Sequence, residues 1–268
     1  ELDAEMMNRF QQFIGVLRWA IKLGRIDILT EVSCLSQHLA SPREGHLHAV
    51  YKIFRYLQKN MAKNPGRLVF DGLYPHTDMR LFQKSVTDPE EWNDFYPEAA
   101  EKLPAKKVEP LGNPVKVRVY VDANHAGNLK KPNAPIIWYS KRQNTVESTS
   151  FCLEYVALRI CTEMIEALRY KLRCFGIPID GPAEVFCDNQ SVVTNSSVPS
   201  SVLNKRHNAI CYHRVREAQA AGTIMVGWIS GEYNLADLFT KTTMTGELKH
   251  RLVHNIFNND AAPIEVKT

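Results

Sequence analysis

Val117, Val119 and Val121 alternate with Lys116, Arg118 and Tyr120. A period of two predicts a half-buried strand, and Asp122 follows its last residue. Ala123 to Asn128 then reads as a turn. From about Glu147 to Phe175 the spacing turns helical, with Leu158, Cys161, Ile165, Leu168 and Leu172 on one face. Ala183 to Cys187 predicts a second strand ended by Asp188, and Asn189-Gln190-Ser191 opens a short helical pattern. Ile224, Val226 and Trp228 alternate as a third strand. The loop Gly231 to Asn234 follows, and Asp237 falls in the first turn of a further helix. Near the start, Phe13, Leu17, Ala20 and Ile21 fit one helical period, and Ala49, Ile53, Tyr56 and Leu57 another. Ser41-Pro42 lies between them, with proline at a tolerated first-turn position.

Asp122, Glu154, Asp188 and Asp237 each stand at a junction of apolar pattern and turn. Each has an ordinary reading. Asp188 could cap a helix, Asp237 could be a first-turn acid, and Glu154 could occupy a cap or edge position. Glu154 differs in continuing the apolar face of its helix. A carboxylate aimed at a core is costly unless it is paired, protonated or bound to metal. Four acids from four segments in this order form what two divalent ions held close together require. Magnesium, a hard ion, prefers such oxygen ligands.

The segments that carry these acids resemble the C-terminal end of the Pol polyprotein of copia-type LTR retrotransposons. The matching runs are 121–128, 137–143, 146–149 through 154–157, 187–191, 205–207, 212–217 and 234–237. Residues 13–17, 27–28, 32–36 and 46–57 extend the likeness upstream to the last helices of the reverse transcriptase thumb. The resemblance implies four parts: a helical thumb-like segment over 1–71, a connection over 72–114, a ribonuclease H-like domain over 115–258, and a tail over 259–268. The expected fold class is α/β, a mixed sheet with flanking helices. The implied activity is metal-dependent hydrolysis of the RNA strand of RNA–DNA hybrids during reverse transcription. Asp122, Glu154, Asp188 and Asp237 would be both catalytic residues and ligands of two Mg²⁺ ions, or of Mn²⁺.

Substrate contacts are expected from polar groups near the acids, Asn124, Ser148, Asn189 and Gln190, and from Lys205, Arg206, His207, His213, Arg214 and Arg216. The polar four double as turn or cap residues, and His207 and His213 could equally make structural hydrogen bonds. Partners would be the hybrid and the rest of the Pol product. No adjacent Asp-Asp pair occurs, so no polymerase activity is expected from these residues. Only 129–135 separate the first acidic turn from the Ile-Trp segment. That is roughly a dozen residues fewer than in the family, and predicts loss of the middle strand of the opening three-strand meander. An impaired remnant that binds nucleic acid or a partner without cutting is therefore the alternative function. An integrase fits poorly, because its triad ends on Glu and a zinc module usually accompanies it.

Composition narrows the setting. A chain of 268 residues can bury a substantial core and hold about two domains. Arg18, Lys22 and Arg25 interrupt the best apolar run, so no membrane association is expected. The six cysteines form no Cys-x-x-Cys pair and read as reduced, buried thiols of a cytoplasmic chain, with the nucleus as a second location. Net charge is only +4, but 115–258 carries 17 Lys and Arg against 12 Asp and Glu, whereas 72–114 carries 5 against 8. The basic excess falls where a polyanionic duplex would dock, or is ordinary solvated surface.

Overall fold

The structure is a computed structural model that describes residues 2–60, 79–84, 89–106, 108–122, 129–131, 134–139, 149–203, 208–240, 247–248 and 252. The chain divides into two compact units, residues 1–75 with 238–268, and residues 76–237. Among the described residues no helix is long and apolar enough to cross a membrane.

The first unit is helical. Helix α1 (Ala4–Lys22) begins at Asp3, whose side chain accepts the Met6 N–H at 2.8 Å. It buries Phe10, Ile14, Leu17 and Ile21, the stripe of a one-faced helix. Leu17 and Ile21 lie on the expected face. Phe13 is half-buried and meets Tyr51 and Phe54 edge-on. Those rings belong to α3 (Glu44–Asn60), which follows the short α2 (Leu29–Leu35). Buried Asp27 is held by Arg25 through two parallel hydrogen bonds of 3.0 and 2.8 Å.

The second unit is a mixed α/β layer. Its six-stranded sheet has the order β1-β6-β5-β2-β3-β4. The strands are β1 (Gln83–Lys84), β2 (Arg118–Val121), β3 (Leu129–Lys131), β4 (Ala134–Ile137), β5 (Ala183–Cys187) and β6 (Ile224–Trp228). The central three, β2, β5 and β6, run parallel. Every residue of β5 is buried, as befits a strand covered on both faces. One face carries Val119, Val121, Val185, Cys187 and Val226, which pack with Leu158, Cys161 and Ile165 of α4 (Ser150–Cys174) and Val215 of α6 (Ala209–Ala220). On the other face Tyr120 stacks on Phe186 with ring centroids 4.5 Å apart, and Phe82 joins at 4.4 Å. A Cβ on Gly227 would stand 2.3 Å from the Phe82 ring, so the missing side chain there lets that ring reach the sheet.

The meander corrects one expectation. Its middle strand is present: β3 pairs antiparallel with both β2 and β4. The shortened connector still supplies three residues for β3, and its last residue, Lys131, faces Ala134 of β4. Three residues suffice to pair with a neighbour on each side, so the shortening trims the strand instead of deleting it. Pro135 is accommodated because β4 lies at the sheet edge.

Candidate metal centre

The three parallel strands end at the same sheet edge, and two acids directly follow two of those ends. Asp122 follows Val121 and Asp188 follows Cys187, and these two strand residues are register partners. The side-by-side placement is therefore a product of β2–β5 pairing. Asp237 opens α7 (Asp237–Thr240), after the loop that leaves β6. Carboxylate oxygens of Asp122, Asp188 and Asp237 all lie within 4.8 Å of one another.

Glu154 arrives from α4. Thr149 caps that helix, its side chain accepting the Cys152 N–H at 3.4 Å, so Glu154 is not a cap. It sits on the buried face, with an oxygen within 4.8 Å of ligand atoms of both Asp188 and Cys187. Asp188 thus belongs to both groups and links Glu154 to the other two acids. Nor does Asp188 cap α5 (Gln190–Ser197). That task falls to Asn189, whose Oδ1 accepts the Val192 N–H at 3.2 Å.

Asp122 is 6% exposed, Glu154 7% and Asp237 1%, whereas Asp188 is half-buried. Like charges this close in low dielectric repel strongly unless positive charge joins them. The Cys187 thiol registers that field. Burial pushes its pKa well up, and the carboxylates of Glu154, Asp188 and Asp122 push it further, against a lowering by the Asn189 backbone. The donor set is mainly carboxylate oxygen, which suits a hard divalent cation.

Two supports were not read from the sequence. Trp228 Nε1 donates to the Asp188 carbonyl at 3.0 Å, bracing the strand end. Asn234, fully buried, donates through Nδ2 to the Val121 carbonyl at 3.0 Å. Its Oδ1 accepts the Ala236 N–H at 3.1 Å. An asparagine three residues before an acid at a helix start is a local sign of such a turn. The long-range half of the bond has no sequence signal.

The remaining expected substrate residues separate into groups. Asn124, Ser148, Lys205, Arg206 and His207 lie outside the described residues. Gln190 is exposed on the first turn of α5. His213 Nδ1 shares a 2.7 Å hydrogen bond with the Tyr96 hydroxyl. Arg214 is paired with Glu166 and, at 3.2 Å, with Glu217. Arg216 corrects its expected role as a phosphate contact. It is buried, and its guanidinium donates to the carbonyls of Asn195, Val198 and Pro199 and to Ser201 Oγ. Its charge also lies 5.0 Å from the Trp92 ring centroid and 4.7 Å from that of Tyr212. A guanidinium enclosed in this way has no face left for a duplex.

No family model matches the chain, and no solved structure matches it. Relatives do. The retrovirus-related Pol polyprotein from transposon RE1 of Arabidopsis thaliana is 26% identical over 245 residues, covering 87% of this chain. Its counterpart from transposon RE2 of the same plant is 24% identical over 245 residues, again with 87% of the chain covered. That from transposon TNT 1-94 of Nicotiana tabacum is 25% identical over 232 residues, also covering 87%. The chain spans only 14 to 15% of the length of these relatives.

Proposed function

From its homology to the Pol polyproteins of copia-type retrotransposons, we propose that the chain is a ribonuclease H that hydrolyses the RNA strand of RNA–DNA hybrids. The observation that carries the reading is the convergence of Asp122, Asp188 and Asp237, with Glu154 joined through Asp188, at the edge where the parallel strands end. The carboxyl ends of parallel strands are where α/β folds place their ligands. The three-strand meander beside β5 is the arrangement that the family resemblance implies.

Asp122, Glu154, Asp188 and Asp237 would hold two divalent ions, Mg²⁺ or Mn²⁺. Such ions supply charge stabilisation on a phosphate and lower the pKa of bound water. The protein's own contribution is preorganisation. The buried acids are set by strand ends and by an α4 face, so their positions cost little at the moment of reaction. Burial of three of the four acids keeps bulk water from screening their charge. The hybrid and the remaining Pol segments are the proposed partners, with the cytoplasm or nucleus as the setting.

The test uses a labelled RNA–DNA hybrid with Mg²⁺. We expect cleavage of the RNA strand alone, and its loss to background in Asp122→Asn and Asp188→Asn variants that melt like the parent chain. Normal cleavage by Asp188→Asn would sink the assignment. The three-residue β3 leaves a second reading open. A folded chain that binds the hybrid without cutting it would identify a non-catalytic remnant.

A further inference from the structure

Asn234 uses its backbone oxygen and both ends of its side-chain amide within the site's frame. Its backbone carbonyl accepts the N–H of Asp237 at 3.1 Å. Its Oδ1 accepts the N–H of Ala236 at 3.1 Å, and its Nδ2 donates to the Val121 carbonyl at 3.0 Å. The last bond matters most. The carbonyl of Val121 and the nitrogen of Asp122 belong to one planar peptide unit. One side chain therefore fixes the backbone of Asp122 and, through the turn it organises, the backbone of Asp237. Those two acids are 115 positions apart in sequence, yet their oxygens lie within 4.8 Å.

Other side chains cannot do both jobs. Asp would present an oxygen to the Val121 carbonyl and lose the donor. Ser can accept from the Ala236 N–H but is too short to span to β2. Asn234 has no exposure to water, so a lost bond there would not be replaced by solvent.

We propose that Asn234 is a positioning residue that sets the spacing of Asp122 and Asp237, and with it the affinity of the cluster for divalent cations. The proposal rests on the metal-binding reading above and adds to it a control point outside the acids. Groups that orient metal ligands from behind are costly to lose, typically by about ten- to a hundredfold in affinity.

Calorimetric titration of the full chain with Mn²⁺, without nucleic acid, tests it. The variants are Asn234→Ala and Asn234→Ser, with Ile165→Ala as a core truncation remote from the loop. Serine keeps an acceptor for the turn and removes only the tie to β2. We expect both Asn234 variants to bind Mn²⁺ at least about tenfold more weakly. Ile165→Ala should keep the parent affinity although its melting temperature falls. Parent-like affinity in Asn234→Ser would overturn the proposal while leaving the metal site standing. Failure of both Asn234 variants to fold would make the residue purely structural and also overturn it. No Mn²⁺ binding by the unaltered chain would instead remove the metal-binding reading, and this proposal with it.

Discussion

Arg216 shows how far a charge in a helical pattern can mislead. Its neighbours Arg214 and His213 read as one basic run, but α6 turns Arg216 inward onto Trp92 and Tyr212. The partners that decide this sit up to 124 positions away at Trp92, and include the Tyr96 hydroxyl at 3.3 Å. Arg216→Ala should cost about 3 kcal/mol or more in urea unfolding, because several buried carbonyls lose their donor. It should leave the salt slope of hybrid binding unchanged, as expected of a residue that touches no phosphate. Asp122 and Asp188 were legible for the opposite reason. Asp122 directly follows an alternating strand and Asp188 a mostly apolar one, and parallel pairing brings such positions together without further information. Asn234 was only half legible. Its turn is local, but its bond to Val121 crosses 113 positions.

Among the elements, the shortest ones were the hardest to foresee. The two residues of β1 carry no periodic signal, yet they pair with Trp228 and Gly227 and bring Phe82 onto the sheet. Gly227→Ala should force the Phe82 ring and the Gln83 carbonyl aside, since a Cβ would lie 2.8 Å from that oxygen. The expected loss is about 1–3 kcal/mol of unfolding free energy, the usual penalty for overpacking. Counting residues likewise misjudged β3, because the rule of thumb for strand length is an average and three residues suffice beside two partners. Glu101 ties its acidic stretch to α4 through Arg169 and Arg173. There burial opposes the charge, but hydrogen bonds from Arg169 and Arg173 outweigh it and hold the carboxyl below its usual value. A depressed folded-state pKa gives stability that is present above the unfolded carboxylate value and lost as pH falls through the folded one. The gap in urea stability between the parent chain and Glu101→Gln should therefore be full near about pH 7 and close below the ordinary carboxylate range.

At the scale of the whole molecule, metal and folding should be coupled. A site assembled from two strand ends, a helix face and a loop exists only in the folded chain, so an ion that binds it must stabilise the fold. At about a hundred times its Kd, Mg²⁺ should add roughly 2.7 kcal/mol of stability, readable as a rise in melting temperature. Asp188→Asn, which removes the acid common to both ligand groups, should abolish most of that rise. The element order of the second unit was largely readable, because β2 and β6 alternate and α4 is long and periodic. The division of the chain within α7 was not, since a four-residue helix carries too little pattern to mark it.

Under the proposed metal-binding reading, the bond from Trp228 to the Asp188 carbonyl would serve as a built-in optical gauge. An indole tethered to a ligand's own backbone should change its emission when that ligand takes up an ion. Paramagnetic Mn²⁺ should quench it more than Mg²⁺ does. With Trp228→Phe the response should vanish, although Trp19, Trp92 and Trp138 remain to fluoresce.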